Sequence, residues 1–85
     1  MLGEPSFPAN DVYDAACVFA LATGQETDRD TAEQYAQRAL QLLTQAQGAG
    51  FFKAADRRGL LDNDPDLAAV RPRKDFESLR TKVKE

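Results

Sequence analysis

The residues of this sequence that could do chemistry are few, and histidine is absent from all 85 positions. That removes the commonest general base near neutral pH and every Ser-His or Cys-His nucleophile pair. With a single cysteine, it also removes the usual zinc ligand sets. The cysteine, Cys17, lies in the apolar run Ala15-Ala16-Cys17-Val18-Phe19-Ala20-Leu21-Ala22 with no base beside it. This is the setting of an inert small core residue rather than of a reactive thiolate. Asp62, Asp64 and Asp66 alternate as the first ligands of a calcium loop do. The sixth place, however, is Leu67 where the sharp turn needs glycine, and the twelfth is Arg73 where a glutamate closes the shell. Asp64 as a cap, with Pro65 at the first position of a helical turn, accounts for the same residues. Glu26, Asp28 and Asp30 begin a second alternation, and Gln37 and Ala39 stand where its closing glutamate would be. Arg71, Arg73 and Lys74, with Arg57 and Arg58, offer a patch for acidic peptides or, as such charges more often do, a solvated face. No catalytic residue, cofactor or metal site is expected.

The elements that must position these groups are helices. Residues 30–47 form the central one: Ala32, Tyr35, Ala36, Ala39, Leu40, Leu43 and Ala46 recur at three- and four-residue spacing, and glutamines and charges fill the opposite side. Asp30 is the expected cap, with Glu33 completing a capping box, and Gly48 and Gly50 are the expected stop. An earlier helix is capped by Asn10 or Asp11 and carries the stripe Val12, Ala15, Ala16, Phe19 and Ala22. Cys17, Val18, Ala20 and Leu21 widen that stripe until most of the circumference is apolar. Gly24 ends it, and the polar connection 24–29 makes the two helices an antiparallel pair. Phe51 to Arg58 reads as a short third helix broken by Gly59. Asp64-Pro65 starts another turn ending near Val70, and Pro72 opens a last helix with the narrow stripe Phe76, Leu79 and Val83.

Composition bounds the function classes. A chain of 85 residues makes one domain, here an arm over residues 1–9 and a helical body over residues 10–85, with a modest core. With 42% hydrophobic and 29% charged residues it belongs to the globular range rather than the disordered one. A net charge of -3 argues against nucleic acid, whose non-specific affinity comes from clustered Lys and Arg. The first eight residues lack the basic start and apolar core of a signal peptide. The longest apolar run, residues 12–22, is about half of a membrane span. A soluble, cytoplasmic protein is expected.

The pair from Asp11 to Gln47 resembles a tetratricopeptide (TPR) repeat, a two-helix unit of roughly 34 residues. Val12 stands at the first large-residue position, Ala15 and Ala16 at the hydrophobic-then-small pair, Phe19 at the aromatic position, and Ala32 and Ala39 at the small positions of the second helix, followed by Leu40. The connection is about four residues longer than the family pattern. Thr44 stands where proline is usual, and part of a second repeat begins near Gly50. Over residues 12–80 the chain also looks like the C-terminal end of repeat arrays behind bacterial serine/threonine kinase domains. That likeness implies a terminal fragment of a larger bacterial protein. The Gly-rich loop, His-Arg-Asp and Asp-Phe-Gly of a kinase do not occur in these residues.

The fold expected is therefore all-α: an antiparallel helix pair of TPR type, a partial second repeat and a C-terminal capping helix. In TPR proteins the inner helix of each pair lines the ligand groove, which by register nominates Asn10, Tyr13, Cys17 and Ala20 for partner contact, Tyr13 foremost. The implied function is protein or peptide binding without catalysis, with a homodimer as one way to cover the apolar first helix. The competing reading is a small acidic helical protein that binds a metal or small ligand.

Overall fold

A computed structural model describes residues 9–84, so residues 1–8 of the expected arm lie outside the described residues. Four helices follow in order, α1 (Ala9–Gln25), α2 (Arg29–Gly48), α3 (Ala55–Asn63) and α4 (Lys74–Lys84), with 3₁₀ turns at Phe51–Lys53 and Pro65–Leu67. The class is all-α, with no strand among the described residues.

α1 and α2 pack along their length as the central pair, joined by three residues. Small side chains make this contact close. Ala16, Ala20, Ala39 and Ala46 are wholly buried and Ala36 nearly so, so the backbones can approach, and Phe19 packs against Tyr35 with ring centroids 6.1 Å apart. The α2 cap is Asp28, not Asp30. Its backbone is extended, and its carboxylate accepts the Thr31 N–H at 3.0 Å and the Thr31 hydroxyl at 2.6 Å. Asp30 becomes a first-turn acid, favourable there against the helix dipole, and Glu33 accepts from Arg73, the residue before α4, instead of closing a capping box. Asn10 and Asp11 likewise lie inside α1, which is already helical at Ala9.

Gly48 is the last residue of α2, and the chain reverses at Gly50, whose φ of 89° is the left-handed conformation that glycine adopts without strain. The third helix differs from expectation. Phe51–Lys53 is only a 3₁₀ turn, Ala54 is extended, and α3 then runs straight through Gly59. A glycine inside a helix costs about 1 kcal/mol relative to alanine, too little to break one held by the buried Leu61. Asp64 does cap the next turn, accepting the Asp66 N–H at 3.0 Å with Pro65 at the first position. Leu67 and Val70 from this stretch are fully buried. α4 opens at Lys74, two residues after Pro72, and buries Phe76 and Leu79, with Val83 half-buried at its end.

Four of the five cations expected as a patch, Arg57, Arg58, Arg71 and Arg73, are engaged by the chain itself, and Lys74 is exposed. Arg73 donates to Glu33 of α2 at 2.7 and 3.0 Å and to Asp75 at 2.9 and 3.0 Å, and Arg80 reaches Asp62 of α3 at 3.0 Å. These bonds hold the Glu33 and Asp75 carboxyls below the usual carboxylate range. Arg71 donates to the carbonyls of Leu61 (2.9 Å) and Asp64 (2.7 Å), Arg58 to that of Lys53 (3.0 Å), and Arg57 lies 4.7 Å over the Phe51 ring. They tie the C-terminal half together rather than forming a docking patch.

Candidate functional site

Two regions of α1 bear on function, its inner face and its outer one. On the inner face Tyr13 is the anchor. Its ring stacks on Phe51 at 4.6 Å and 15°, and meets Phe52 edge-on at 6.0 Å. The phenol donates to the Asp64 carboxylate at 2.6 Å. Burial is the larger cause, and the Asp64 bond the second, that pushes the Tyr13 phenol well above its ordinary pKa.

One turn on, the Cys17 thiol lies 3.9 Å from the same Asp64 oxygen. Burial, with Asp64, Asp66 and Asp14 around it, pushes the thiol up to about 11. It is protonated at neutral pH and a poor nucleophile. Cys17, Asp64 and Asp66 could each offer a ligand atom, all within 4.8 Å of one another. Asp64 accepts from Tyr13 at one oxygen and from the Asp66 N–H at the other. Among the described residues, no buried side-chain nitrogen or oxygen lacks a partner, so nothing buried marks a missing ligand.

Of the four positions nominated by register, Tyr13, Cys17 and Ala20 are buried and Asn10 is exposed. The inner face is occupied by the chain's own Phe51–Lys53 turn and by the stretch that follows Asp64. Spacing placed Tyr13 and Cys17 on one face. It carried no signal that Asp64, 51 residues beyond Tyr13, would be their common acceptor.

The outer face is different. Val18 is 63% and Leu21 43% exposed, the two large apolar side chains left in water among the described residues. Asp11 and Asp14 precede them on the same helical stripe and are exposed as well. At the other end of the stripe, Gly24 lets the chain at Ala69 come close: a Cβ at Gly24 would stand 3.2 Å from that of Ala69. Surface depressions elsewhere are lined by groups such as Lys74, Glu77, Ser78 and Thr81, or Gln37, Leu40, Gln41 and Thr44.

Among the described residues, the fold and these faces define a class, a small all-α protein whose first helix carries an exposed apolar pair. Compared with models of protein families, with curated proteins and with solved structures, the chain matches none. No helix among the described residues is long and apolar enough to cross a membrane.

Proposed function

We propose that this chain is a non-enzymatic protein-interaction module, a TPR-like helix pair followed by a partial repeat and a capping helix. The observation that carries the reading is the exposure of Val18 and Leu21 in the middle of α1. Large apolar side chains side by side in water gain free energy when a partner covers them. The lack of histidine and the protonated Cys17 thiol favour binding over catalysis. The tie to a larger bacterial protein such as a serine/threonine kinase, and the cytoplasmic setting that goes with it, rest on the resemblance over residues 12–80.

The test is affinity capture from an extract of the producing cells, with the wild-type chain and with the double variant Val18→Asp, Leu21→Asp. Both positions are exposed, so the variant should keep its helical circular dichroism. A protein retained by the wild type and lost from the variant is the expected result. Retention of nothing, or of the same proteins by both, sinks the proposal.

A second reading, an acidic helical protein holding a metal or small ligand, has one observation on its side: the converging ligand atoms of Cys17, Asp64 and Asp66. Thermal melts with Ca²⁺, Mg²⁺ and Zn²⁺ decide it. With Asp64 engaged and the thiol protonated, superimposable melts are expected; a metal-specific rise would establish the second reading.

A further inference from the structure

The outer stripe of α1 reads Asp11, Asp14, Val18, Leu21, Gly24 at spacings of three and four, an acidic end followed by an apolar one. α1 contains no Lys or Arg. The chain packed against it adds Asp66, which, like Asp14, bears on the Cys17 thiol through its charge. The sole cation of residues 60–72, Arg71, is engaged by the carbonyls of Leu61 and Asp64. Asp11 and Asp14 therefore flank the apolar pair on its N-terminal side.

Resting on the interaction-module reading, we infer that the occupant of this stripe is a basic amphipathic helix, its apolar residues on Val18 and Leu21 and its Lys or Arg side chains on Asp11 and Asp14. A helix lying along another helix offers side chains at the three- and four-residue spacing of this stripe, and unlike charges at the rim steer and orient it. An anionic surface, lipid or nucleic acid, is repelled by the same rim.

A second copy of the chain fits less well. Two α1 helices crossing at Val18 and Leu21 bring Asp onto Asp if parallel. If antiparallel, they set Asp14 against Gln25 and leave Asp11 past the end of the facing helix, so neither arrangement sets a cation of α1 against these carboxylates. The chain's own basic helix, α4, has Phe76 and Leu79 buried and cannot offer an apolar stripe to a neighbour.

The experiment is fluorescence anisotropy with the full chain and two labelled synthetic peptides. Both carry leucine at helical spacing; one is flanked by lysine and the other by glutamate at the same positions. The lysine peptide should bind at least about tenfold more tightly, by an amount that shrinks as salt is raised. Asp11→Lys with Asp14→Lys should reverse the preference, and Val18→Asp with Leu21→Asp should abolish binding of the lysine peptide. Equal binding of the two peptides, both sensitive to Val18 and Leu21, overturns the basic partner while leaving the docking face. Light scattering that shows a concentration-dependent dimer lost in the Val18/Leu21 variant overturns it in favour of a second copy. Failure of both peptides overturns the basic helix as occupant, and the capture experiment then decides separately whether the face binds protein at all.

Discussion

Phe76→Ala should lower the stability of this protein by about 3–5 kcal/mol, the range for emptying a fully buried phenylalanine site. A chain of 85 residues has in all about 4–13 kcal/mol of stability, so this one substitution should remove a large share of it. Phe76 has no exposed surface and is the largest of the wholly buried side chains. It is also the main apolar link of α4 to the body, since Leu79 retains slight exposure and Val83 is half-buried. The polar links cannot replace it. The Arg73–Glu33 and Arg80–Asp62 pairs are open to water, where solvent and salt screen them, so removing Arg73 should cost far less than removing Phe76. Urea unfolding followed by circular dichroism measures both. A Phe76→Ala midpoint within error of the wild type, or an equal loss in Arg73→Ala, would show that the charges rather than the ring hold α4.

The difference between apolar and polar anchoring also explains what could be read from the sequence. Periodicity reports burial, and where burial decides the structure the reading holds. Ala36, Ala39, Leu40, Leu43 and Ala46 of α2 and Phe76 and Leu79 of α4 are all buried as their spacing requires. Asp64 with Pro65 was legible because a cap is a local hydrogen bond followed by a residue that needs none. Asp28 and Asp30 show the limit of such local signals. Both are carboxylates before an apolar run, and the helix began at the earlier one because Thr31 could donate to it twice. The break at Ala54 was hidden as well, since nothing in Phe51–Arg58 departs from a helical pattern. The left-handed Gly50 and the stacking of Phe51 on Tyr13 govern where that helix can start. Least legible was the inner face of α1. Spacing put Tyr13, Cys17 and Ala20 on one side but could not say whether a ligand or the chain itself would cover them. The exposed pair Val18 and Leu21 was visible only as excess apolar width.

The bond between Tyr13 and Asp64 is the polar link on which the inner face turns, and its loss is the second large effect. Asp64→Ala removes the acceptor of the buried phenol together with the cap of the Pro65–Leu67 turn, at about 3 kcal/mol if the usual costs of a charge-assisted bond and a cap combine. Tyr13→Phe keeps the stacking on Phe51 and loses only the hydroxyl, at about 1–2 kcal/mol. In the double variant the hydroxyl has no acceptor left to lose, so the two costs should fall short of additive by about 1–2 kcal/mol. Strict additivity would show that Asp64 acts as a cap alone.

The pH dependence provides an independent check. A phenol or thiol whose pKa is raised by folding stabilises the fold fully below its unfolded value, and that stability is lost as the pH climbs toward the folded one. For Cys17 the decline runs from its ordinary 9.0 to about 11, and Tyr13 adds its own above its ordinary 10.0. Each group contributes a slope of up to about 1.4 kcal/mol per pH unit. Urea midpoints measured from pH 7 to 11 should fall steeply above pH 9 in the wild type. Cys17→Ala should delay the onset, and Tyr13→Phe should flatten the part above pH 10. Asp64→Ala should flatten that part incompletely, because burial rather than the carboxylate is the larger cause of the shift at Tyr13. An unchanged alkaline slope in Tyr13→Phe would mean that the phenol is not held in the buried, bonded state that closes the inner face of α1.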